Sequence, residues 1–272
     1  MDLVTWLEPD HQQLPIVLSV PHAGTFFPSE IRDQIDSQQL ATLTDTDWYV
    51  DRLYSFASAI GIPLLRANYH RWVIDLNRSP DQQPLYADGR LITGLCPTTN
   101  FLGHPIYADG RTALSARETA TRTENYFVPY HEALRARLES VRQQFGVVLL
   151  WDCHSIKRHV PTIHAAPFPD LILGSADGTA ASPALIETAL RHLQQSRFVT
   201  AHNFPFKGGY ITRTYGRPDR QCHALQLEMP KDNYLDDSET HYDERRAAEM
   251  ANLLKRTLLE LADVLLTHTK AR

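Results

Sequence analysis

Val147-Val148-Leu149-Leu150-Trp151-Asp152-Cys153-His154-Ser155 leads an apolar run out of a glycine and into a polar tetrad. Consecutive apolar residues, two of them β-branched, mark a strand buried on both faces, as in the middle of a parallel sheet. Open α/β sheets bind ligands beyond the carboxyl ends of their strands, so Asp152, His154 and Ser155 fall where chemistry is expected. Ile16-Val17-Leu18-Ser19-Val20 followed by Pro21-His22-Ala23-Gly24 has the same form. Pro21 lacks the N–H a central strand needs, so the chain turns there and presents His22. Two buried strands that each deliver a histidine to one end predict a single site shared by distant parts of the chain.

Outward from these runs, further strands are predicted at 62–65, 73–76, 171–174, 198–200 and 224–229. The second of these runs into Asp75-Leu76-Asn77-Arg78-Ser79-Pro80, and the last sets Glu228 just ahead of Pro230. A carboxylate in so apolar a strand needs a partner or a task. Helical spacing or helix-start signals appear at 29–34, 37–41, 50–60, 115–144, 183–193 and 245–266, with Pro183 at a helix start and Pro129 starting or kinking another. Asp45 and Asp47 precede the 50–60 segment, where they can cap the helix or offer a cation a ligand. Residues 203–213 read as a loop whose Gly208-Gly209 pair permits close backbone approach. The span 81–112 is rich in turn residues and nearly repeats Pro-x-Tyr-Ala-Asp-Gly-Arg, read as two Asp-Gly turns in a functional loop region. Strands alternate with helices and no stretch has linker composition. The fold class predicted is α/β, a single domain over 1–272 with its core at about 15–266 and a loop-rich insertion at about 81–112.

Composition narrows the function. In 272 residues, 27 basic and 32 acidic side chains leave a net charge of −5, without a basic patch for nucleic acid. No apolar run approaches the roughly 18 residues that span a membrane, and no secretory leader pattern opens the chain. Cys96, Cys153 and Cys222 are too few and scattered for a disulfide framework, so a cytoplasmic location is expected. Of the thirteen histidines, His11, His70, His192 and His268 sit in polar surroundings and read as solvated, while His131 reads as structural.

Four predicted strand ends thus carry His22, Arg78, His154 and Glu228, and a helix start carries Asp45 and Asp47. Two histidines and a carboxylate are the ligand set of a catalytic zinc that keeps its fourth position open. Such an ion brings water toward a pKa of about 7, and a separate glutamate can then move protons. Neither His-Glu-x-x-His nor Cys-x-x-Cys is present.

The segments Ser19 through Gly24, Thr44-Asp45-Thr46-Asp47-Trp48, Asp75 through Pro80, Asp152-Cys153-His154-Ser155, Asn203 through Gly209 and Leu225-Gln226-Leu227-Glu228-Met229-Pro230 together resemble those of N-formylglutamate amidohydrolases. The resemblance covers about residues 15 to 255 in the family's order. It implies a three-layer fold with a mixed, mostly parallel sheet, similar to zinc carboxypeptidases and aspartoacylases. It also implies hydrolysis of N-formyl-L-glutamate to formate and glutamate, a late step in one route of histidine degradation. By position, His22 and His154 resemble ligands of one divalent ion, zinc first, with Asp45 the favoured third ligand and Asp47 the alternative. Zinc carboxypeptidases carry a glutamate three residues after the first histidine, where this chain has Thr25, so the third ligand must come from elsewhere. Glu228 resembles the general base, and Asn77 with Arg78 the clamp on the substrate α-carboxylate. Arg213 is the candidate for the side-chain carboxylate or the oxyanion. Two rivals are a hydrolase of another N-acyl amino acid or short peptide with a free carboxylate, and a non-catalytic metal or carboxylate binder. The expected partner is a small anionic substrate, on a monomer or small homo-oligomer, with no nucleic acid and no membrane.

Overall fold

In the computed structural model, which describes residues 2–11, 14–81 and 89–270 (side chains to 267), the two apolar runs lie side by side in the middle of one sheet. Its strands are β1 (Val4–Leu7), β2 (Ile16–Val20), β3 (Leu64–Ala67), β4 (Val148–Ile156), β5 (Leu171–Gly174), β6 (Thr200–His202) and β7 (Cys222–Pro230). Their spatial order is β1-β3-β2-β4-β7-β5-β6. β1 with β3 and β5 with β7 run antiparallel, and the other pairs are parallel, which gives the mixed, mostly parallel sheet.

The helices are α1 (Ser29–Arg32), α2 (Ser37–Thr42), α3 (Val50–Leu53), α4 (Phe56–Ala59), α5 (Ala116–Arg122), α6 (Val128–Phe145), α7 (Pro183–Gln194), α8 (Tyr210–Tyr215) and α9 (Glu244–Lys270). Strand alternation divides their packing partners. Ile16, Leu18, Val20, Leu149, Trp151, Cys153, Leu225 and Leu227 share a core with the apolar faces of α3, α7 and α9. Val17, Val148, Leu150 and Ala224 meet Tyr130, Leu134, Leu138 and Val141 of α6 on the other side. Three layers result, with the central strands sealed from water on both faces. The 115–144 prediction is one helical stretch interrupted by a π turn at Thr123–Phe127, just before Pro129 enters the first turn of α6. No helix among the described residues is long and apolar enough to cross a membrane.

Three local expectations change. First, β4 continues to Ile156, so Asp152 and His154 lie within the strand and not beyond it. Second, 73–76 is not a strand. Asp75 Oδ1 accepts from the Asn77 amide at 2.9 Å and its backbone N–H donates to the Leu95 carbonyl at 2.7 Å, which curls the chain into a buried turn. Aspartate that bonds the backbone two residues on competes with a sheet ladder in this way. Arg78 therefore leaves a turn, not a strand end. Third, 203–213 is a loop only as far as Gly209, after which it coils into α8. The Asp109-Gly110 turn forms, with Gly110 at φ +67° and its N–H on the Tyr107 carbonyl. The first copy of that near-repeat falls largely at 82–88, outside the described residues.

Candidate active site

His22 follows β2, His154 lies near the end of β4, and Glu228 near the end of β7. The parallel ladder pairs His154 with Glu228 directly across β4 and β7. Asp47 reaches the same point from the turn before α3. Its backbone N–H donates to the His22 carbonyl at 3.0 Å, so the two segments are fastened at the site itself. Gly24 makes this course possible, because a Cβ there would collide with the backbone of Asn68 and Tyr69.

His22, Asp47 and His154 form a buried group that could hold a metal ion, with one ligand atom from each within 4.8 Å of the others. Asp47 Oδ2 lies 3.3 Å from His154 Nδ1 and 3.7 Å from His22 Nδ1. Behind each ring stands another buried carboxylate. His22 Nε2 donates to Asp75 Oδ1 at 2.9 Å, and His154 Nε2 lies 3.0 Å from Asp152 Oδ2, at ion-pair distance but outside good hydrogen-bond geometry. At His22, the Asp75 carboxylate behind Nε2 keeps the proton there and turns the Nδ1 lone pair toward a metal. His22 Nδ1 and Asp47 Oδ1 are buried with no hydrogen-bond partner. A divalent cation would satisfy the donor set that these orphaned atoms form.

The electrostatics agree. Burial disfavours a charged His154, yet Asp152 and Asp47 outweigh it and hold the imidazole well above its ordinary range. Burial likewise opposes ionisation of Asp47, and the neighbouring His154 and His22 rings hold it low. The cluster thus favours positive charge at its centre. Burial pushes Glu228 up to about 8, with His154 opposing and Asp47 reinforcing the rise. A glutamate poised near neutrality can both accept and return a proton.

Asp47, not the favoured Asp45, joins the histidines. Asp45 Oδ2 accepts from the Trp72 indole at 3.0 Å, and both its oxygens receive the Phe101 amide at 3.2 and 3.1 Å. Neither aspartate caps a helix, since α3 starts from Tyr49 without a side-chain cap. Asp45 instead fixes the turn that aims Asp47. His70, expected in solvent, is fully buried and steadies the same turn through Thr46 Oγ1 at 2.9 Å. His131 is structural as expected, between Tyr215 Oη at 2.9 Å and the Leu76 carbonyl at 3.0 Å.

A cavity opens over this group, lined by Asn77 and Arg78 as well as His22, Asp47, His154 and Glu228. Asn77 Oδ1 accepts from the Ile211 amide at 2.8 Å, which turns Nδ2 toward His154. Gly209 lies against this amide so closely that a Cβ would overlap it. Arg213 is absent from the cavity lining. Its place on α8 points it back along the helix, with Nε donating to the Gly208 carbonyl at 2.9 Å. The guanidiniums lining the cavity beside Arg78 are Arg71 and Arg90. Arg71 donates to Asp75 Oδ2 at 2.6 Å, approaches Asp47 Oδ1 at 3.9 Å and lies over the Phe101 ring. Sequence reading overlooked Arg71, Asp75 and Arg90 as site residues. The first two carried a signal, an Arg and an Asp four residues apart among apolar neighbours that can bury neither unpaired.

A family model described as N-formylglutamate amidohydrolase matches residues 14–235. The chain is 38% identical over 260 residues to the N-formylglutamate deformylase of Pseudomonas putida, covering 92% of this chain and 93% of that protein. It is 38% identical over 254 residues to the N-formylglutamate deformylase of Pseudomonas aeruginosa, covering 91% and 92%. The crystal structure of N-formylglutamate amidohydrolase from Ralstonia eutropha JMP134 superposes with a TM-score of 0.82 at 27% identity, over 97% of this chain and 99% of that one. Gene product Atu2144 of Agrobacterium tumefaciens shares the fold, with a TM-score of 0.75 at 17% identity over 97% and 96%.

Proposed function

Because the chain belongs to the N-formylglutamate amidohydrolase family, we propose that it hydrolyses the formamide bond of N-formyl-L-glutamate to formate and L-glutamate. We place this activity in the cytoplasm, in histidine degradation. The observation that carries the reading is the buried His22, Asp47 and His154 group with Glu228 beside it and arginines around the cavity above.

His22 and His154 would hold one divalent ion through Nδ1, and Asp47 through its carboxylate. Two imidazoles and a carboxylate suit zinc, which when bound supplies Lewis acidity for water activation and carbonyl polarisation. Glu228 takes a proton from the water as oxygen attacks the formyl carbon. It then delivers that proton to the glutamate nitrogen as the C–N bond breaks, which balances the reaction at formate and a free amine. Arg71 lies over the same cavity, positioned to stabilise negative charge on the formyl oxygen. The planar fork of Arg78, with the Asn77 amide beside it, suits the α-carboxylate.

The test is formate release from N-formyl-L-glutamate before and after chelation and zinc restoration, for the native chain and Glu228→Gln. Turnover that vanishes with chelator, returns with zinc, and falls by about 100- to 10,000-fold in a Glu228→Gln variant that still binds zinc is the expected outcome. No turnover with any divalent metal would refute the substrate. Near-normal turnover by Glu228→Gln would refute the base.

A further inference from the structure

Gln226 lines the cavity two residues before Glu228 on β7, and it pairs with Asp152 across the ladder as Glu228 pairs with His154. Its Oε1 accepts from the Gly209 amide at 2.8 Å, so the segment that fixes Asn77 through the Ile211 amide holds a second side-chain amide as well. The loop lies close enough because β5 sets Gly174 opposite Gln226, where a Cβ would collide with the backbone of Lys207 and Gly208. A backbone N–H only donates, which fixes the oxygen of each carboxamide and turns its NH₂ group the other way. The Asn77 group faces His154. The Gln226 group makes no hydrogen bond among the described residues. It is also not one of the sealed polar atoms that lack a partner, so it opens to the cavity that Gln226 lines.

A donor held in place on a side chain only 4% exposed calls for an acceptor oxygen from the ligand. Its depth tells which oxygen. Alternate residues of a strand share a face and stand about 6.6 Å apart along it, so Gln226 lies one such step below the group that protonates the leaving nitrogen. From that nitrogen the α-carboxylate departs toward Asn77 and Arg78, and the side chain is left to run down the wall. Its carboxyl carbon is four bonds from the nitrogen, about 5 Å when extended, which covers the step to within a hydrogen bond's length. We infer that Gln226 Nε2 donates to the side-chain carboxylate of the substrate and so selects N-formyl amino acids whose side chain ends in an acceptor at that reach. An ionised acceptor makes the stronger bond, which favours glutamate over glutamine. The assignment rests on the deformylase reading above, and it gives the side chain a contact that Arg213, directed away on α8, does not supply.

The experiment measures kcat and KM of the zinc-loaded native chain, Gln226→Glu and Gln226→Met on N-formyl-L-glutamate and N-formyl-L-glutamine, which share shape and differ in side-chain charge. Gln226→Glu keeps an oxygen for the Gly209 amide and puts a second oxygen in place of the donor, so the loop stays tied while the recognition group changes sign. It should reduce the glutamate-to-glutamine ratio of kcat/KM by about 100-fold, chiefly through KM for the glutamate substrate, because the glutamine amide can turn and donate. Gln226→Met removes donor and acceptor together and should reduce the same ratio by about threefold to tenfold, the margin of an ionised acceptor over a neutral one. A ratio within about threefold of native in Gln226→Glu overturns the assignment and leaves the deformylase reading standing. Equal losses on both substrates are that same outcome, since they would place Gln226 at the shared α-carboxylate or in loop positioning alone. A native chain inactive on both substrates removes the deformylase reading, and the assignment with it.

Discussion

Replacing Asp75 by Asn probes the link between the buried carboxylate and the histidine it backs. Asp75 is fully buried and receives three donors, His22 Nε2 at 2.9 Å, Arg71 Nη2 at 2.6 Å and the Asn77 amide at 2.9 Å. Burial opposes its ionisation, but Arg71, Arg78 and His22 together hold it well below the usual carboxylate range. Asparagine keeps the shape and fails electrically in either orientation. If its oxygen stays with His22 and the Asn77 amide, its NH₂ group faces the Arg71 donor. If it flips, NH₂ faces His22 Nε2, the ring proton moves to Nδ1, and the lone pair that should meet a metal is lost. Breaking one side of a buried ion pair costs about 3–5 kcal/mol of stability. Losing the partner that orients a metal-bound histidine weakens metal affinity by about 10- to 100-fold, or about 1.4–2.7 kcal/mol. Competition with a chromophoric chelator gives the affinity, and urea unfolding of the metal-free protein gives the stability. Asp152→Asn, behind His154, should weaken zinc binding similarly. Zinc affinity within about twofold of native in Asp75→Asn, alongside lost stability, would show that Asp75 merely anchors Arg71 and would refute the reasoning.

Asp47→Asn should abolish tight zinc binding, whereas Asp45→Asn should keep zinc within about tenfold and lose about 1–3 kcal/mol of stability from the buried Trp72 and Phe101 donors. The reverse pattern in the same titrations would return the ligand role to Asp45. His131 tests acid sensitivity, since burial pushes it down to about 4 while its bond to the Leu76 carbonyl resists. Between about pH 6.5 and 4 the unfolded chain therefore binds a proton that the folded one does not, so stability falls as pH falls through this window. The contribution lost between about pH 7.5 and 5 is about 2 kcal/mol, and His131→Gln should remove that share of the pH dependence in urea unfolding. An unchanged slope would show that His131 is not responsible.

The sheet was legible because its central strands are continuous apolar runs that end in residues unable to continue a ladder, as at Pro21 and Pro230. His22, His154 and Glu228 were legible for the same reason, since strand order in a buried parallel sheet brings such ends together. The choice between Asp45 and Asp47 was not. Both lie in one turn, and only tertiary partners, the Trp72 indole and the Phe101 amide, decide which is already occupied. Residues 73–76 carry a strand's composition, yet the Asp75 side chain gives the backbone a local alternative that periodicity does not reveal. Arg213 was expected in a loop because the Gly208-Gly209 pair masked the helix start beyond it. Arg90 lay in a turn-rich segment whose packing depends on Thr162 and Pro205, far along the chain, so nothing local announced its place.

The direct pairing of His154 with Glu228 across β4 and β7, beside β2 and His22, has a consequence for how the protein is assembled. The four groups, His22, Asp47, His154 and Glu228, are spread from residue 22 to residue 228, so only a chain that includes all of that span holds a complete centre. They become neighbours only after parallel strands separated by long crossovers have found their register, contacts of high sequence separation that form slowly. An ion that needs all three ligands binds only chains that have completed this pairing, and its binding free energy adds to the stability of those chains alone. Metal would then act as a late inspector of topology, ignoring collapsed chains with slipped strands and drawing the population toward the threaded state.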